Sequence, residues 1–100
     1  MIVVQVEVIV EPGSASKAVD AVKKMETATR QEAGCLKYAF AVDISDAGMI
    51  RVIERWESMD AIKAHMASPH MAAFGGVMGA IGITGVDVKK YSGATEGPLY

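Results

Sequence analysis

Apolar and polar positions alternate strictly at the start of the chain. Ile2, Val4, Val6, Val8 and Val10 fall on one face and Val3, Gln5, Glu7, Ile9 and Glu11 on the other. With so many β-branched side chains, the pattern predicts a strand over Ile2–Val10. Pro12 and Gly13 stop it, and Ser14 is placed to cap a helix. The period then lengthens. Ala15, Ala18, Val19, Val22, Met25 and Ala33 recur at helical spacing, whereas Lys17, Asp20, Lys23, Lys24, Arg30 and Gln31 take the rest of the wheel. A long amphipathic helix ending near Gly34 is expected.

Period two returns from Cys35 to Asp43, with Leu36, Tyr38, Phe40 and Val42 on one side. Ser45 to Gly48 is a short turn into a strand over Met49–Glu57, so the two strands pair as a hairpin. Ser58 can cap a helix with an apolar stripe of Ala61, Ile62, His65 and Met66. Ser68 followed by Pro69 restarts a helix that puts His70, Phe74 and Val77 on one side. Gly75, Gly76, Gly79, Gly82 and Gly85 then punctuate an apolar stretch, read as a frayed helix end with close backbone packing. A last strand, about Thr84 to Tyr91, precedes a polar tail. The order β-α-β-β-α-β is the split βαβ, ferredoxin-like α+β arrangement, a four-stranded antiparallel sheet with both helices on one face. It gives one domain over residues 1–92 and a tail over 93–100. Apolar residues recur on both strand faces, so the bare face is expected to meet the sheet of a second copy, in a homodimer.

Composition agrees with that expectation. A domain of 100 residues buries only roughly two-thirds of its unfolded surface. Yet 51% of the residues are hydrophobic and mean hydropathy is +0.25, a surplus that suits a covered apolar face. The formal charge is -2 and cations are scattered singly, which favours neither nucleic acid nor an anionic membrane as partner. One cysteine, Cys35, excludes an internal disulfide and fits a reducing compartment. The apolar start lacks a basic leader and no run is long enough to span a membrane, so the cytoplasm is the expected location.

Candidate chemistry is concentrated between Ile50 and Phe74. Glu54 shares a strand face with Ile50, Val52 and Trp56, where a carboxylate is costly unless it is paired. His65 or a partner-subunit arginine is the expected partner. His65 lies within an apolar helix stripe, and an imidazole is the side-chain type best suited to act as a base there. His70 sits at a helix start. Trp56, Tyr38 and Phe74 are flat or bulky enough to hold an aromatic guest, although each also suits a core. A metal set of Glu54, His65 and His70 is disfavoured, because the histidines lie on separate helical pieces without standard ligand spacing. The glycine series comes after a helix, so it is no phosphate cradle.

The order of elements, GCLKY at the second strand, and ERWES followed by the helix histidine, SPH and Phe resemble the antibiotic biosynthesis monooxygenase family of dimeric α+β barrels. The matching residues are Gly34, Cys35, Leu36, Tyr38, Glu54, Trp56, Ser58, Ala61, His65, Ser68, His70 and Phe74. That family includes oxygenases that convert phenols or hydroquinones to quinones without metal or flavin, haem-degrading relatives, and an isomerase of a phosphorylated signalling molecule. The haem-degrading branch needs an asparagine, a tryptophan and an axial histidine where this chain has Val6, His65 and Gly75, which marks that branch down. The phosphorylated-substrate branch lacks a cluster of cations. The resemblance therefore implies a cofactor-independent oxygenase acting with dioxygen on an aromatic diol or polycyclic phenol. His65 and Glu54 would be catalytic, and Trp56, Tyr38, Phe74 and His70 would bind substrate. A non-catalytic small-molecule binder, or an isomerase of a small dicarbonyl or lactone, is the alternative.

Overall fold

The computed structural model describes every residue from Met1 to Tyr100. Strand β1 spans Ile2–Val10, and a 3-10 turn at Ala15–Ala18 leads into helix α1, Val19–Arg30. Strands β2 (Cys35–Asp43) and β3 (Asp46–Trp56) come next, then α2 (Met59–Met66), α3 (Pro69–Ala80) and β4 (Ile83–Tyr91). The sheet has the order β2-β3-β1-β4, with every neighbouring pair antiparallel. This is the α+β ferredoxin-like architecture that the order of elements predicts, with the second helix split in two at Ser68-Pro69.

Register fixes which side chains share a face. Val4 lies opposite Glu54 and Lys90, and Val6 opposite Val52 and Val88. Tyr38 and Phe40 pair with Glu54 and Val52. These positions all face the helices. Ile2, Val4, Val52, Tyr38 and Trp56 pack with Met25 of α1, and a second cluster joins Val8, Val10 and Ile50 to Ala18, Met78 and Ile81. The opposite face carries Ile9, Ile53 and Tyr91, exposed by 47%, 37% and 52%, interleaved with ion pairs from Arg51 to Glu7 and Asp43. The Arg51 guanidinium and the Ser45 donors hold the Asp43 carboxyl well below the usual range.

Several local expectations are corrected. The first helix begins as a 3-10 turn, because Ser14 makes no side-chain capping bond, and α1 ends at Arg30 rather than near Gly34. The chain leaves the helix early to bring Gly34 against α2. Gly34 has φ +83, and a Cβ there would stand 2.6 Å from that of Ala61, so only glycine suits both the turn and the approach. Leu36 does not join Tyr38 on the core face. A bulge between Cys35 and Lys37 turns Leu36 out to 52% exposure and leaves Cys35 opposite Trp56. The hairpin turn is also tighter than expected. Asp43 Oδ1 accepts from both the backbone N and the Oγ of Ser45 at 2.8 and 2.7 Å, and β3 starts at Asp46.

The glycines after Phe74 do not fray α3, which continues to Ala80. Ser68 Oγ accepts from Met71 N at 3.3 Å and Pro69 sits at the first helical position, a strong start that carries the helix through. Nor do the three within α3 serve close packing, since a Cβ at Gly75, Gly76 or Gly79 would meet nothing within 4 Å, whereas one at Gly82 or Gly85 would touch Glu11 or Ile9 at 3.4 Å. The tail is tied back to the start of β1. Ala94 N donates to Met1 O at 2.9 Å, and the Met1 ammonium donates to Ala94 O at 3.0 Å. No helix is long and apolar enough to cross a membrane.

Candidate functional site

Between the sheet and helices α2 and α3 lies a hollow of about 450 Å³, a size that takes a small polycyclic guest. Its floor is Val4, Val6, Val8, Tyr38, Phe40 and Val52, and its roof is Ile62, Met66, Met71, Phe74 and Met78. The mouth is on the β4 side. β4 is an edge strand, and Val86 and Val88 face the hollow yet remain 59% and 58% exposed. Besides Tyr38, three ionisable side chains stand on this apolar wall, Glu54, His65 and Lys90. Sequence reasoning passed over Lys90, although it continues the Val86, Val88 alternation by one step.

His65 is 2% exposed. The Ser58 cap, with Oγ accepting from Ala61 N at 3.2 Å, sets the phase of α2 so that His65 points at the sheet. Its ring lies 4.9 Å from that of Trp56 and 5.4 Å from that of Tyr38, centroid to centroid. Nδ1 is 3.1 Å from both carboxylate oxygens of Glu32. Glu32 in turn pairs with His70 Nε2. Sequence reasoning missed Glu32 altogether. It sits in the turn between α1 and β2, outside any periodic element, and meets the histidines only through a long-range contact. Its one local mark is its place two residues before the glycine that makes the turn.

Glu54 is accordingly not the partner of His65. Its Oε1 accepts from Trp56 Nε1 at 2.9 Å, and the two residues are next-but-one neighbours on the same strand face. Burial pushes the Glu54 carboxyl up, only partly offset by the indole N–H and the nearby His65. A raised folded-state pKa means that the carboxylate costs stability. The favourable contribution of the neutral acid is fully present below the unfolded value near 4.5 and is lost as pH rises through the folded one. Glu54→Gln keeps an acceptor for Trp56 and carries no charge. We expect the variant to be more stable than the parent at neutral pH in urea unfolding, with the difference vanishing at about pH 4. A variant less stable at neutral pH would mean that Glu54 is held in a favourable ion pair.

The other expected site residues divide. Tyr38 and Phe74 line the hollow. Burial and the carboxylates of Glu54 and Glu32 push the Tyr38 phenol up, so Tyr38 is an O–H donor and not a phenolate. Trp56 is 0% exposed and forms no part of the hollow's walls. It stands behind Glu54 and His65 and fixes both, which leaves it no free face for a substrate ring. His70 opens into a separate groove between α1 and α3, beside Asp20, Lys17 and Lys24. Cys35 is no nucleophile candidate, because burial and the Glu32 and Glu54 carboxylates push its thiol up. The carboxylate that converges with both histidines is Glu32, so the set of Glu54 with His65 and His70 gives way to Glu32, His65 and His70.

The family model for antibiotic biosynthesis monooxygenases matches residues 1–76. A Deinococcus radiodurans structure provisionally assigned as such a monooxygenase superposes with a TM-score of 0.89 at 22% identity, covering 100% of this chain and 99% of that one. Rv0793 from Mycobacterium tuberculosis gives 0.84 at 25% identity, covering 97% and 98%. A Caulobacter crescentus structure with the same provisional assignment gives 0.87 at 24%, covering 94% and 90%. No curated protein sequence matches significantly. The similar structures speak to the fold, and the match over residues 1–76 speaks to descent: the chain belongs to the antibiotic biosynthesis monooxygenase family.

Proposed function

We propose that the protein is a cofactor-independent monooxygenase of an aromatic diol or polycyclic phenol. The observation that carries this reading is an apolar hollow of about 450 Å³ with an imidazole on its wall whose Nδ1 is engaged by a carboxylate, leaving Nε2 for a guest. Glu32 accepting from Nδ1–H fixes the tautomer in which Nε2 has a free lone pair. That lone pair takes the substrate's hydroxyl proton, and the electron-rich anion then reduces dioxygen by one electron. Recombination at a ring carbon bearing hydrogen gives a peroxide, to which His65 returns the proton. Loss of water across that C–H and O–OH leaves a carbonyl. One oxygen atom thus ends in the quinone and the other in water, and the substrate supplies both hydrogens. Tyr38 and Phe74 orient the ring, the apolar wall excludes water, and Glu54 stands ready to receive a second proton. Two copies joined through their outer sheet faces, in the cytoplasm, complete the proposal.

Oxygen uptake with a panel of polycyclic phenols and hydroquinones tests it. The expected result is stoichiometric uptake with one atom of labelled dioxygen in the product. Uptake that returned only hydrogen peroxide, or none across the panel, would contradict it and leave the small-molecule binder or the proton-shuttling isomerase.

A further inference from the structure

We propose that Glu32, His65 and His70 form a binding site for a divalent transition-metal ion of the zinc class. The three come from different elements: the turn after α1, the last turn of α2 and the first turn of α3. Each presents one ligand atom, His65 Nδ1, His70 Nε2 and a Glu32 oxygen, and these all lie within 4.8 Å of one another. A tetrahedral ion with bonds of about 2.0–2.1 Å spaces its ligands roughly 3.3 Å apart. His65 Nδ1 and the Glu32 oxygens already stand at 3.1 Å. His70 and Glu32, now in direct hydrogen-bond contact, must draw slightly apart, and His65 Nδ1 and His70 Nε2, which lie within 4.8 Å of each other, must close to that spacing.

Ligand chemistry narrows the ion. Two imidazoles and one carboxylate suit zinc and its first-row neighbours, whereas calcium and magnesium take oxygen shells. Three protein ligands leave a coordination position open. The route in is through the groove between α1 and α3, because His70 is the partly exposed member, with 28% of its side chain accessible against 3% for His65. Lys17 and Lys24 outnumber Asp20 in that groove, so its charges give an incoming cation no attraction, and affinity must come from the three ligands themselves. Once bound, the ion takes the Nδ1 lone pair of His65 and fixes the ring's remaining proton on Nε2. The atom facing the hollow then donates where it would otherwise accept, and a base there is silenced. This consequence rests on the proposed oxygenase reading, whereas binding of the ion does not.

Tag-free, chelator-stripped protein titrated with Co²⁺, followed by visible absorption, and with Zn²⁺, followed by calorimetry, reads binding without any substrate. One ion per chain and the bands of four-coordinate Co²⁺ are expected. His70→Ala, at a partly exposed position, keeps the fold by circular dichroism and weakens binding by at least about a hundredfold, more than loss of an outer-shell partner does. Glu32→Gln weakens it too. Absence of the bands with protein in excess, or equal affinity in His70→Ala, would overturn the site. Zn²⁺ that also stops oxygen uptake supports both proposals. Zn²⁺ bound with uptake undiminished retains the metal site and removes His65 as the base. If no substrate is found, the titration stands as the complete test of the metal site.

Discussion

On the proposed oxygenase mechanism, His65→Gln is expected to lower turnover of a phenolic substrate about 10²- to 10⁴-fold, the range a positioned general base supplies, while the protein stays folded. The amide of glutamine can donate to Glu32 but has no lone pair basic enough to take a phenolic proton. The loss falls on kcat more than on KM, because the walls that hold the ring are untouched. Glu32→Gln gives a smaller loss, since the amide oxygen can still accept from Nδ1–H and hold the ring. Stopped-flow or oxygen-electrode kinetics on both variants separates the two. Equal turnover in His65→Gln and the parent would remove the imidazole from the chemistry.

Trp56→Ala destabilises the protein by about 3–5 kcal/mol, the usual cost of emptying a fully buried large aromatic site. Trp56 is 0% exposed, shares its core cluster with Ile2, Val4, Met25, Tyr38 and Val52, and supplies the N–H that satisfies Glu54. Its loss therefore opens a cavity and leaves a half-buried carboxylate without its donor. For a domain of this size that is a large fraction of total stability. Trp56→Phe refills most of the space and costs less, but still orphans Glu54. Urea unfolding of both variants measures this. A loss under about 1 kcal/mol in Trp56→Ala would mean that the core is not closed around the indole.

How far the sequence could be read depends on the physical range of each signal. The strands and helices rest on periodicity, which is local, so β1 and the Ser68-Pro69 restart of α3 are legible in full. The bulge at Leu36 is not, because period two carries no mark of an inserted residue. The glycines of α3 mislead for a related reason. Their intrinsic cost is local, but the cap at Ser68 and the packing of Phe74 and Met78 decide the outcome from elsewhere. At the site, His65, Tyr38, Phe74 and Glu54 are visible as polar or aromatic side chains on core-facing positions. Glu32 is invisible, since a turn residue has no face until the chain folds. With Glu32 hidden, Glu54 is assigned a partner that belongs to Glu32. Trp56 is visible as a residue but not in its position, because only the fold shows that its ring lies behind the two ionisable groups.

The proposed oxygenase chemistry requires an aromatic hydroxyl bound in the hollow against His65 Nε2. A crystal structure with a polycyclic phenol, or with its quinone product, decides whether it binds there. Density is expected between Phe40, Met71, Phe74 and Val88, with a guest oxygen about 2.6–3.2 Å from Nε2. Density in the α1–α3 groove or on the outer sheet face, with the hollow closed by its own methionines, would contradict it.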